Sequence, residues 1–90
     1  MYANVVSVTI HDDDAAQQEL QERIVPMVKG SEGFLRGIWL RNRETGKGLG
    51  VVVFDTREHA EVMAAQVPPG SPDDPVSRER LGIYEIVAEA

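Results

Sequence analysis

The sequence predicts an α+β fold of the ferredoxin-like kind, one antiparallel sheet with two helices on one face. Three observations predict it. Four stretches rich in β-branched and aromatic residues alternate with two stretches of helical periodicity, in the order β-α-β-β-α-β. The second and third strand stretches are separated only by a glycine-bearing turn, as in a β-hairpin. A chain of 90 residues makes one domain, 1–90.

Tyr2 to His11 reads as the first strand, because Val5, Val6, Val8, Thr9 and Ile10 crowd a helix but fit a pleat. Asp12, Asp13 and Asp14 stop it and suit the positive end of a helix. That helix runs to about Lys29, with Leu20, Ile24, Met27 and Val28 as its apolar stripe and Gly30 at its cap. Pro26 lacks an N–H and should kink or loosen its last turns. Phe34 to Asn42 and Leu49 to Phe54 form the hairpin around Arg43–Gly48. Asp55 or Thr56 caps the second helix, and Asp55 with Glu58 has capping-box spacing. Ala60, Met63, Ala64 and Val67 make its apolar face. Pro68 to Pro75 must be loop, and mobility is expected from Pro68 to Arg80. Leu81 to Ala88 is the last strand. Right-handed crossovers then give a sheet in the order 4-1-3-2.

Composition narrows the function. Nine Lys and Arg stand against 15 Asp and Glu, a net charge of −6. Phosphate backbones and anionic lipid repel such a surface, so neither nucleic acid nor membrane is an expected partner. No apolar run approaches the roughly 20 residues of a membrane helix, and no secretory leader is evident. Without cysteine there is no disulfide, thiolate nucleophile or zinc–thiolate site. The expected location is cytoplasmic.

The strands carry apolar residues on both faces. Val6, Val8 and Ile10 oppose Ala3, Val5, Ser7 and Thr9; Phe34, Ile38 and Leu40 oppose Leu35, Gly37 and Trp39. Leu49, Val51 and Val53 oppose Val52 and Phe54, and Leu81, Ile83 and Val87 oppose Tyr84, Ile86 and Ala88. Two helices cover one face only. The other is an apolar patch larger than monomers ordinarily expose. A second copy of the chain is its expected cover, giving a homodimer; the alternative is a semi-exposed face with scattered hydrophobic residues.

Ile24-Val25-Pro26 with Gly33-Phe34-Leu35-Arg36-Gly37-Ile38-Trp39 resembles the first helix and second strand of the antibiotic biosynthesis monooxygenase (ABM) superfamily. Val51 to Ala60 resembles that superfamily's third strand and second helix. The resemblance implies a dimeric α/β barrel, sheets facing each other and helices outside, with a pocket between helices and sheet. It implies no cofactor, and either a monooxygenase of small aromatic substrates or a protein without catalysis. The haem-degrading branch uses a first-strand Asn, a third-strand Trp and a later His. Here Asn4 comes too early, Phe54 stands at the Trp position and His59 follows too soon.

Among residues able to carry chemistry, His59 and Tyr84 are the catalytic candidates, and Trp39 and Phe54 the ligand-binding ones. An imidazole with an ordinary pKa near 6.5 suits a general base, although a His in a helix's first turn is more often solvated. Trp39 can stack on a planar ligand or anchor the core, and Tyr84 and Tyr2 can hydrogen-bond a phenol or simply sit half-buried. His11 precedes three aspartates and reads as a surface residue. Arg36, Arg41 and Arg43 can bind a carboxylate or pair with nearby acids. Gly46, Gly48 and Gly50 lack the helix start of a phosphate loop, and Asp12–Asp14 lack calcium-loop spacing. No metal site is expected. Two functions follow: a cofactor-independent monooxygenase acting on a small aromatic substrate, or a non-catalytic dimeric module that holds a small apolar ligand or is structural.

Overall fold

The computed structural model describes residues 1–67, 70, 71 and 73–90. Four strands, β1 (Tyr2–Ile10), β2 (Phe34–Asn42), β3 (Lys47–Phe54) and β4 (Val76–Glu85), pair antiparallel in the order β2-β3-β1-β4. This is the order expected from the connections, read from the opposite edge.

The first helix is three segments in one run: α1 (Asp13–Glu19), a wide π turn (Leu20–Ile24) and α2 (Val25–Lys29). Asp12 caps it, its Oδ1 accepting from the Ala15 N–H at 3.0 Å. Val25 donates to the Leu20 carbonyl, five residues back, just before Pro26, which has no N–H to continue the ladder. The disturbance expected from Pro26 is therefore a π turn on its N-terminal side. Gly30 closes the helix, donating to the Pro26 carbonyl. The second helix, α3 (Arg57–Ala64), is capped by Thr56, whose hydroxyl accepts from the His59 N–H. Asp55 is thereby left free for another task.

Cross-strand register assigns the faces. Phe54, Val52 and Gly50 of β3 align with Tyr2, Asn4 and Val6 of β1, and this face lies under the helices. Val28, Ala60 and Met63 close over Val52 and Phe54 to form the core, with Ile24, Met27, Phe34, Trp39 and Ile83 packed around it. Phe34 and Phe54 meet edge-on, ring centroids 6.5 Å apart.

Two expectations need correction. Phe34 was expected to share a face with Ile38 and Leu40, but a bulge at Leu35 places it opposite Phe54, on the helix side. The last strand begins at Val76 and ends at Glu85, earlier at both ends than the expected Leu81–Ala88. Val76 to Arg80 are thus strand, paired with Ile10 to Ser7 around a second bulge at Glu79, and do not belong to the expected mobile loop. Of the prolines of that loop, Pro68, Pro69 and Pro72 lie outside the described residues. Among the described residues no helix is long and apolar enough to cross a membrane.

The helix-free face carries Val5, Val51, Ile38, Leu40, Leu49 and Tyr84. Ile38 and Leu40 are each 50% exposed, Leu49 40% and Tyr84 56%. At one end of it the Lys47 ammonium meets Glu79 at 2.5 Å and Thr9 at 3.0 Å.

Candidate functional site

Three chain segments converge beside the start of α3. Gly33, ahead of β2, adopts φ +80°, a conformation glycine accepts without a Cβ penalty. Its carbonyl accepts from the Asp55 N–H at 3.0 Å, tying the end of β3 to the start of β2. Asp55 has surrendered helix capping to Thr56, and its Oδ1 lies 2.6 Å from His59 Nδ1. Any Cβ on Gly33 would overlap both Asp55 Oδ1 and the His59 ring. The glycine is required for the pair to sit where it does.

On the far side of the imidazole, Nε2 faces Glu32 Oε1 at 3.6 Å, too long for a good hydrogen bond. Asp55 holds the His59 pKa above its ordinary value, by its hydrogen bond first and then its charge, with Glu32 and Glu58 adding in the same direction. The same bond lowers the Asp55 pKa. His59 is half-buried and forms one wall of a cleft of about 270 Å³, with Met27, Val62 and Met63 as its apolar lining and Glu32, Ser31 and Gln66 at its polar side. A broader groove of about 470 Å³ runs past Leu40, Arg41, Asn42, Lys47 and Glu79.

The other candidates lie apart. Trp39 is on the helix side of the sheet, its indole laid over Gly37 and Gly50, where a Cβ would come within 2.9 and 3.1 Å of the ring. Phe54 has no exposed surface and belongs to the core. Tyr84 is on the opposite face, its ring lying over Gly82. None of these three lines the cleft or the groove. His11 Nε2 meets Ser77 Oγ at 2.8 Å, remote in the fold from His59 on the β4 edge. Arg41 lies 3.8 Å from Asp13, and Arg57 pairs with Glu61 along α3.

No family model matches this chain, and no curated protein matches it.

Two features escaped the reading of the sequence. One is the pairing of Asp55 with His59, which stand four apart, one ahead of a helix and one in its first turn; that spacing was open to detection. The other is Asn4, which is buried under α3. Its Nδ2 donates to the Ala60 carbonyl at 3.0 Å, while Oδ1 has no partner among the described residues. Among those residues, no three His, Asp or Glu side chains are grouped to hold a metal ion.

Proposed function

We propose that the protein works as a homodimer of the ABM kind, two sheets stacked through their helix-free faces into a dimeric α/β barrel, with a small apolar or aromatic ligand held by each protomer. The observation that carries the reading is the helix-free face itself. Its centre is aliphatic and aromatic and its end is a charged Lys47–Glu79–Thr9 cluster, the apolar centre and polar rim of an interface. Strand spacing and rise give this face roughly 19 by 28 Å, about two-thirds of one side of a standard interface of about 800 Å². The single chain exposes 5936 Å², against roughly 5,200 Å² for a compact monomer of its mass. A cytoplasmic setting is part of the proposal, resting on the acidic, cysteine-free composition.

The interior between helices and sheet is filled by Val28, Val52, Phe54, Ala60 and Met63, which favours the non-catalytic reading. The Asp55–His59 pair on an open cleft favours a second reading, cofactor-independent oxygenation. A phenol deprotonated by His59 would reduce dioxygen, one oxygen atom entering the ring as a quinone carbonyl and the other leaving as water. Both readings are tested together. Light scattering at micromolar concentration should report twice 9.9 kDa. Oxygen uptake with an electron-rich single-ring phenol, abolished in His59→Gln, would establish the oxygenase; tight binding without uptake would establish the binding module.

A further inference from the structure

We infer that the cleft beside α3 is a binding site for a soft monovalent metal cation of the copper(I) kind, with His59 Nε2 and the thioether sulfurs of Met27 and Met63 as its donors.

The three donors come from the two helices that line the cleft. His59 and Met63 stand four apart on α3, so their side chains are neighbours on one face of that helix. Met27 reaches the same cleft from α2. A methionine has three rotatable bonds and a polarizable sulfur, so both sulfurs can turn toward a shared ion without movement of the backbone. Every one of these residues belongs to one chain, so the site stands or falls independently of the dimer.

The imidazole is held as a metal-binding imidazole is held. Its Nδ1 lies 2.6 Å from Asp55 Oδ1, which sets the tautomer with the proton on Nδ1 and leaves the Nε2 lone pair for an ion. Gly33 permits this carboxylate–imidazole pair, because a Cβ there would overlap both groups. On the Nε2 side stands Glu32 Oε1, 3.6 Å away, a negative charge beside the place a cation would take.

The donor set selects the cation. Thioethers are soft and favour copper(I) over magnesium and calcium, which seek oxygen. Among the described residues that line the cleft, Glu32 is the one carboxylate and His59 the one imidazole, too few for a calcium or zinc site. Zinc also lacks a thiolate, since the chain has no cysteine. No Lys or Arg is among those lining residues, while Asp55, Glu32 and Glu58 lie about His59, so the local field favours a positive ion. On binding, the Nε2 lone pair goes to the ion; where the ring is charged, its Nε2 proton is released to water. A proton-accepting His59 needs that same lone pair, so a bound cation and the oxygenase reading exclude each other.

The test titrates the native protein with silver(I) nitrate in chloride-free buffer, silver(I) being a soft cation that needs no reductant. One equivalent should saturate the shifts of the Met27 and Met63 methyl groups and of the His59 ring together, while Met1, outside the cleft, stays unmoved. Met27→Leu and Met63→Leu keep roughly the side-chain volume and remove the sulfur. Each of these, and His59→Gln, should weaken binding at least about tenfold, no less than the loss of a group that only orients a ligand. Zinc(II) should bind the native protein more weakly than silver(I) does. Silver(I) that leaves both cleft methyl groups unmoved overturns the proposal. So does an affinity unchanged in Met27→Leu or His59→Gln, or zinc(II) binding as tight as that of silver(I). Circular dichroism establishes that each variant is folded; if the more buried Met63→Leu is not, Met27→Leu decides.

Discussion

His59 is held by a carboxylate it meets only in the folded chain, so its charge couples to stability. Its folded pKa is raised, so the pair's contribution is complete below the ordinary value of 6.5 and is lost as pH rises through the folded pKa. The folded pKa of Asp55 is lowered, so its share is present above its ordinary 3.8 and is lost as pH falls through the folded value. Urea midpoints measured across pH should therefore fall on the alkaline side of 6.5, and that fall should be shallower in His59→Gln. Gly33→Ala should cost roughly 1–2 kcal/mol for the left-handed backbone alone, with a further loss from overlap with the Asp55–His59 pair. Asn4→Asp would turn an acceptor toward the Ala60 carbonyl and bury a charge. Chemical denaturation should show a loss of about 3 kcal/mol or more.

At the scale of elements, Pro26 explains the first helix. Its side chain is exposed, so Pro26→Ala removes no core contact, and the alanine restores an N–H that can donate back along the helix. The expected result is a helix without the π turn and a gain of up to about 3 kcal/mol, read as a higher thermal midpoint and more helical ellipticity. Strand β4 gives a second expectation. Amide exchange should show protection beginning near Val76, because pairing with β1 starts at Ile10. Fast exchange throughout Val76–Arg80 would return that stretch to the loop. The strand was misplaced in the sequence because its first half, Val-Ser-Arg-Glu-Arg, carries one apolar residue and hides its alternation under a bulge at Glu79.

For the whole molecule the question is what covers the second sheet face. Burying about 450 Å² of apolar surface per chain is worth on the order of 11 kcal/mol per chain at about 25 cal/mol per Å². Two chains together exceed the estimated 4–15 kcal/mol cost of association. Ile38→Asp with Leu40→Asp places charge in the centre of the face without touching the helix-side core. Sedimentation should then show a folded monomer; an unchanged dimer would move the interface elsewhere.

The order of elements, the hairpin, the helix stripes and the presence of apolar residues on both sheet faces were legible in the sequence, because periodicity and β-branching are properties of adjacent residues. The strand order followed from connection handedness alone. Which residues share a face did not, since one bulged residue at Leu35 carries Phe34 to the helix side. Nor did the separation of Trp39 from Tyr84, which strand pairing sends to opposite faces. The approach of Gly33 to the Asp55–His59 pair was equally hidden, although the four-residue spacing of that pair was not. It depends on β2 and β3 pairing in one register and on Thr56, rather than Asp55, taking the helix cap. Local pattern sets what each segment can be; long-range pairing, through the surface it buries and the hydrogen bonds it redirects, decides which side chains meet.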